Sequence, residues 1–268
     1  MSKIETKIND NQENTMKKAD ANDCTEAMIP SVAIEQFRRD GYLILERCIP
    51  PADLALLQRS CDELLAAGMA EVDKVSGSRP HKFLFGAAEK KPELDQVNFG
   101  PLMAELCRQT LGPDVWHVND QYSYKDARSG GSFGWHQDGA YIGAPHKPYL
   151  TVWIALCDMS EQNGTISVIP RTRAKLQGTI AGAKELVNGY EKYIGDDRGE
   201  IVNVPAGSIA TFHSDIFHVS GHNVSDRPRT AYITKYGVEP VLGKLGQGLA
   251  LTGRPFLQDG RCLGADQP

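Results

Sequence analysis

Two stretches decide the reading of this chain: Trp135-His136-Gln137-Asp138-Gly139, and further on Phe212-His213-Ser214-Asp215-Ile216-Phe217-His218-Val219-Ser220-Gly221-His222-Asn223. Side chains on an extended strand alternate with period two, so His136 and Asp138 leave the backbone on the same face. One imidazole and one carboxylate then converge on a common point. A histidine brought from a distant strand completes a two-His, one-carboxylate facial triad, which leaves coordination positions open and suits non-haem Fe(II). His218 is the candidate for that third ligand, with His213 and His222 as competitors. The pair alone is weak, because seven His and nineteen Asp in 268 residues give about half an His-x-Asp by chance. Its surroundings must carry the weight.

Beyond Asp114 the chain breaks into short β-rich runs separated by Gly, Pro, Asn and Asp: Val115 to Lys125, Ser132 to Asp138, Tyr149 to Cys157, Thr165 to Ile169, Ile201 to Val204, Ser208 to His213 and Arg229 to Val238. Many short strands at this spacing, without helices between them, predict a sandwich or jelly roll. Ahead of them, Ser31 can cap a short helix through Asp40 that Gly41 ends, a strand follows over Tyr42 to Glu46, and Pro50-Pro51 opens the next helix. In that helix Leu54, Leu57, Cys61, Leu64 and Leu65 recur at three- and four-residue steps, which marks a core-facing stripe closed by Gly68. A further helix is expected from Pro101 to Leu111. The irregular connection from Val72 to Gln96 reads as a lid in which His81, Lys82, Phe83 and Phe85 line a pocket mouth. The glycine-bearing insert from Ala174 to Gly199 is expected to run over the surface near the site.

Residues 1–29 are polar and mixed in charge, too poor in apolar area to offset the entropy of ordering, and are expected to form a disordered tail. Residues 30–268 are expected to form one domain, with its jelly-roll core over about 114–240. The net charge of −5 gives no reason to expect nucleic acid or an anionic membrane as partner. Six scattered cysteines form no Cys-x-x-Cys pair or compact framework, and no run approaches membrane-spanning length, so a soluble cytoplasmic chain with reduced thiols is expected.

The chain resembles the phytanoyl-CoA dioxygenase family of Fe(II)/2-oxoglutarate oxygenases from about Ile34 to Tyr236. Four blocks in order carry the resemblance: Phe37 to Leu45 around Gly41-Tyr42; His136-Gln137-Asp138; Thr151 to Asp158 followed by Asn163-Gly164-Thr165; and His218, Ser220, Asn223 and Arg229. One block departs. Where the family has Pro-Gly-Ser-His, this chain reads Pro170-Arg171-Thr172-Arg173. The resemblance implies a mainly β fold with flanking α, a double-stranded β-helix (jelly roll, cupin-like) with helices packed outside. It implies Fe2+ on His136, Asp138 and His218, with 2-oxoglutarate and O2 as co-substrates. Among the competing histidines, only His218 is followed by Ser220, Asn223 and Arg229 at the family's spacing, and on an unbroken strand His213 faces the other way.

The resemblance further implies that Arg229 and Ser220 receive the distal carboxylate of 2-oxoglutarate, a role that suits a guanidinium fork. Gln121, Trp153 and Lys82 match other co-substrate contacts. The implied reaction is oxidative decarboxylation of 2-oxoglutarate to succinate and CO2 coupled to hydroxylation of an unactivated C–H bond of a small metabolite. Desaturation, cyclisation and epoxidation share the same site, and retention of Asp138 disfavours halogenation. Two further alternatives are a non-catalytic jelly-roll binding protein and a metal-dependent hydrolase or isomerase. Tyr122, Tyr124, Phe133, Tyr141, Ile142, Arg171 and Arg173 are expected to face the substrate, the two arginines receiving an acidic or polar group.

Overall fold

A computed structural model describes residues 29–72, 81–128, 130–142, 146–174, 196–241 and 253–263. The expected tail, save Ile29, most of the 174–199 insert and the start of the 72–96 connection lie outside the described residues.

The first half is helical around three short strands. It runs α1 (Ser31–Asp40), β1 (Tyr42–Leu45), α2 (Pro51–Ala66), β2 (Glu71–Val72), β3 (Lys82–Phe85), α3 (Ala87–Lys90), α4 (Asp95–Asn98) and α5 (Pro101–Thr110). The second half is β4 (Val115–Lys125), β5 (Phe133–His136), β6 (Leu150–Ala155), β7 (Ile166–Val168), α6 (Arg171–Ala174), β8 (Glu200–Ile201), β9 (Ile209–His213), β10 (His218–Ser220), β11 (Arg229–Gly237), β12 (Arg254–Gln258) and β13 (Arg261–Cys262).

Ser31 opens α1 rather than capping it; Pro30 stands at the cap position and no side chain bonds there. Gly41 ends the helix in the left-handed region at φ 80°, donating to the Phe37 carbonyl. A Cβ on Gly41 would meet Ile216 Cδ1 at 2.5 Å, so both the backbone and the space require glycine. In α2 the buried face is Leu56, Leu57, Ser60, Cys61 and Leu64, with Leu54 and Leu65 at its margin.

The described strands form two antiparallel sheets. The larger has the order β1-β9-β6-β11-β4-β12-β13, with β3 also pairing with β4 and β2 with β3. The smaller is β5-β10-β7-β8. One apolar cluster, with Leu57, Leu84, Val152, Ile154, Tyr122 and Tyr232, lies between the large sheet and the helices. A second, with Trp153, Phe212, Ala231, Ile233, Ile166 and Val168, draws on both sheets and lies between them. This is the double-stranded β-helix with helices outside. The sheet reaches beyond 114–240, because β1, β3 and β12 all join it.

The connection from Val72 to Gln96 is more regular than its punctuation suggests. Leu84 packs into the helix-side core while Phe83 stacks 4.2 Å from His81 on the other face, and this alternation makes β3 a strand.

A bulge sets what faces the interior. Along β11 the register steps from Lys235↔Asn119 to Tyr236↔His117, so Val118 is an additional residue on β4. A bulge reverses the alternation on either side of it. His117 therefore turns to Phe99 and Tyr236, with ring centroids 5.3 and 5.6 Å away, whereas Asn119, Gln121, Ser123 and Lys125 share the inter-sheet face. Opposite them on β11 stand Lys235, Ile233, Ala231 and Arg229.

Candidate active site

His136 ends β5, and Asp138 opens a 3-10 turn two residues later. Gln137 between them is extended (φ −117°, ψ 131°), so the period-two alternation survives the end of the strand. His218 begins β10 and pairs directly with His136 across the small sheet. A turn closed by the Ile216 amide donating to the His213 carbonyl separates β9 from β10, so His213 belongs to the other sheet and stacks on Phe37 at 4.6 Å. His222 is exposed.

Both site imidazoles are oriented by a backbone carbonyl. His136 Nδ1 lies 2.7 Å from Gly134 O and His218 Nδ1 lies 3.0 Å from Ile216 O. With those Nδ1–H groups donated, the Nε2 lone pairs are free, and they sit 3.7 and 3.6 Å from the same atom, Asp138 Oδ1. One donor atom from each of the three residues falls within 4.8 Å of the others. Burial, and then neighbouring His218, push His136 down to about 3, and burial also lowers His218, so both rings are neutral and able to bind metal. For Asp138, burial alone would raise the pKa; Lys235, His218, His136 and the Thr151 hydroxyl outweigh it and keep the carboxylate ionised. Its second oxygen, Oδ2, accepts from Thr151 Oγ1 at 2.6 Å and lies 3.4 Å from Lys235 Nζ. Two neutral Nε2 atoms and one anchored carboxylate oxygen, converging without being bonded to one another, fit Fe(II).

A second group of polar side chains lies on the same inner face. Arg229 is fully buried and donates to Ser123 Oγ at 3.0 Å and Gly164 O at 2.8 Å, while its Nε has no partner among the described residues. Lys125 stands directly across from it in the strand register and donates to Ser220 Oγ at 2.8 Å and to Gly221 O. Burial lowers Arg229 to about 10; burial and then Arg229 lower Lys125 well below its ordinary value. Among the described residues no carboxylate contacts either cation. Two buried cations beside serine hydroxyls, with no protein anion, fit the distal carboxylate of 2-oxoglutarate.

Of the other expected residues, Trp153 is buried with its ring 6.0 Å from the Arg229 guanidinium, and Gln121 is buried on the shared face of β4. Lys82 instead pairs with Asp126 at 2.8 Å and lies over the Tyr124 ring, because alternation on β3 sends His81 and Phe83 inward and Lys82 the other way. Several expected substrate-facing residues have other work. Tyr122 donates to Leu57 O in the helix-side core, and Ile142 packs with Val118 and Val241. Arg171 is paired with Asp215, and Arg173 with Asp197 and Glu200. Phe133 and Tyr141 do flank the triad, with centroids 4.4 and 5.6 Å from that of His136. Ser123, Lys125, Thr151 and Lys235 went unread in the sequence, although stepping by two from Gln121 and from Arg229 reaches Ser123, Lys125 and Lys235.

The family model for phytanoyl-CoA dioxygenase (PhyH) matches residues 37–231, most of the chain. The chain belongs to the phytanoyl-CoA dioxygenase family. It is thus an Fe(II)/2-oxoglutarate-dependent oxygenase, and the triad and buried cations lie inside the matched region. Among curated relatives of this family member, L-proline trans-4-hydroxylase of Streptomyces griseoviridis is 24% identical over 226 residues, covering 75% of this chain and 84% of that protein. Ectoine dioxygenase of Stutzerimonas stutzeri is 24% identical over 233 residues, covering 78% and 76%. In fold, the oxygenase resembles the epimerase SnoN, solved with Fe3+, alpha ketoglutarate and nogalamycin RO, at TM-score 0.66 and 19% identity over 88% of this chain and 96% of that one. It also resembles EctD from S. alaskensis, solved with 2-oxoglutarate and 5-hydroxyectoine, at TM-score 0.65 and 22% identity over 86% of each chain. Among the described residues no helix is long and apolar enough to cross a membrane.

Proposed function

We propose that this oxygenase hydroxylates an unactivated C–H bond of a small organic metabolite in a biosynthetic tailoring step. The overall change balances as R–H, O2 and 2-oxoglutarate giving R–OH, succinate and CO2. The observation that supports this reading most is the convergence of His136 Nε2, His218 Nε2 and Asp138 Oδ1 on one point. Those three side chains would hold Fe(II), which with 2-oxoglutarate and O2 supplies the oxidising chemistry.

The remaining work belongs to the protein. Gly134 O and Ile216 O hold each imidazole in the tautomer that binds metal through Nε2. Thr151 holds Asp138 Oδ2, so that Oδ1 stays turned toward the histidines. Arg229, with Trp153 beside it and Ser220 bonded to Lys125 across the ladder, receives the distal carboxylate of the co-substrate and thereby fixes how its keto-acid end meets the triad. Gln121 contributes to co-substrate binding from the same inner face of β4, while Lys82 is held by Asp126 on the opposite face of β3. Phe133 and Tyr141 shield the triad from bulk water on the substrate side. Asp138 would itself be a metal ligand, where a small residue in its place would make room for a halide, and this favours oxygen insertion.

The test is succinate release by purified enzyme with Fe(II), 2-oxoglutarate and a metabolite panel, with product mass read alongside. Gain of one oxygen atom is expected. Loss of two hydrogens or an unchanged mass would replace hydroxylation by another outcome. Replacing His136, Asp138 or His218 by Ala is expected to reduce coupled turnover at least ~100-fold. Undiminished turnover in any one would remove that residue from the ligand set.

A further inference from the structure

Lys235 ends the inward row Arg229, Ala231, Ile233, Lys235 on β11, and only 6% of it is exposed. Its ammonium is ion-paired with Asp138 Oδ2 at 3.4 Å, an oxygen that also accepts from Thr151 Oγ1, and it makes no hydrogen bond among the described residues, so its N–H donors are left for another acceptor. Directly across the ladder stands Asn119, nine-tenths buried, whose Oδ1 accepts no hydrogen bond among the described residues. Side chains directly opposite on one face of an antiparallel pair are neighbours. A buried cation and a buried unused acceptor therefore sit side by side, next to the metal-binding carboxylate. Buried polar groups left like this are costly unless a ligand completes them.

The charges of the loaded site point the same way. Fe(II) brings two positive charges, and Lys125, Arg229 and Lys235 one each; Asp138 and 2-oxoglutarate together return three negative ones. His136 and His218, each turned to bind metal through Nε2 by a backbone carbonyl at Nδ1, add no charge of their own when they do so. A positive excess remains even if Lys125, crowded by Arg229, gives up its proton. Arg171 and Arg173 cannot receive an acidic substrate group without breaking their own ion pairs with Asp215, Asp197 and Glu200.

We propose that the primary substrate is a small organic anion, a carboxylate or phosphate monoester with an N–H or O–H donor near the acidic group, received by Lys235 with Asn119. This rests on the hydroxylase reading above and names the chemistry of its substrate. Lys235 offers N–H donors and charge to the acidic oxygens, and Asn119 Oδ1 takes the neighbouring donor. The Tyr149 ring lies 5.8 Å from Lys235 Nζ.

The experiment titrates anaerobic enzyme, loaded with Fe(II) and saturating 2-oxoglutarate, with 2-hydroxy acids, 2-amino acids and phosphate monoesters, each beside its neutral amide or alcohol. Melting temperature and the visible band of the 2-oxoglutarate complex report binding without turnover. Acids are expected to bind about tenfold or more tightly than their neutral counterparts, and the carboxylate and phosphate arms identify which acid is preferred. Lys235→Gln and Asn119→Asp, the second of which leaves the contact with Asp138 in place, are each expected to weaken acid binding about tenfold while 2-oxoglutarate affinity moves less than about threefold. Neutral or cationic partners binding as well as the acids would overturn the proposal, as would acids keeping their affinity in both variants. Absence of the 2-oxoglutarate band in the wild-type enzyme would instead sink the hydroxylase reading on which this one rests.

Discussion

The two faces of the β4–β11 ladder are equally buried and differ in how their polar groups are answered. On the helix side, Tyr122 donates to Leu57 O, Tyr232 to Asn98 Oδ1, Tyr236 to Asn98 O, and Asp120 accepts from the Ala88 amide. Little is left over there: one nitrogen each on His117 and Asn98 lacks a partner among the described residues. On the inner face, Lys125, Arg229 and Lys235 stand with a single nearby carboxylate among the described residues, Asp138, which also faces both site histidines. Answered polar groups specify and stabilise a fold, whereas cations buried without anions wait for a ligand. The same pair of strands thus serves packing on one side and chemistry on the other.

Substitutions that separate these faces probe the difference. The largest effect is expected from Arg229→Met, which should weaken 2-oxoglutarate binding by about 100-fold in an anaerobic titration of the visible band, since removing one partner of a buried charge pair costs roughly 2–5 kcal/mol. Retained affinity would mean that Lys125 alone receives the co-substrate. His117 should act on stability and not on binding. Burial holds it neutral, at about 3 against an ordinary 6.5. Its contribution is therefore complete above pH 6.5 and is lost as pH falls from 6.5 towards 3, by up to about 1.4 kcal/mol per pH unit in that window. Asp120, raised to about 6 by burial, opposes this between 3.8 and 6. Melting temperature against pH should flatten in His117→Asn relative to the native protein; an unchanged slope would assign the acid sensitivity to other groups. The smallest effect is expected for Tyr232→Phe, which loses the bond to Asn98 and should cost about 1 kcal/mol by denaturant titration, with 2-oxoglutarate affinity unchanged.

Much of this architecture could be read from the chain. β4 and α1 were expected where they occur, because eleven residues rich in Tyr and Val, and a helix closed by Gly41, give strong local signals. The triad emerged because His136-x-Asp138 needs only strand alternation, while His218 needed the spacing to Ser220 and Arg229. Three things were less visible. β3 is four residues long among Gly and Pro, and β12 lies apart from the other strands, so neither announces itself. Tyr122 looked like a pocket aromatic because nothing in the sequence says which face of β4 meets the helices. Lys125 and Lys235 carry no signal of their own in the sequence; the bulge at Val118 and the pairing with Arg229 and Asn119 fix the inward face.

The most direct measurement is a crystal structure of the enzyme grown without oxygen in Fe(II) and 2-oxoglutarate, with the ion located by its anomalous scattering. One iron bound by Nε2 of His136, Nε2 of His218 and Oδ1 of Asp138, with the distal carboxylate of 2-oxoglutarate on Arg229, is the result expected. Iron held elsewhere, or a co-substrate whose distal carboxylate leaves Arg229 untouched, would contradict the division of the ladder into a packing face and a chemical one.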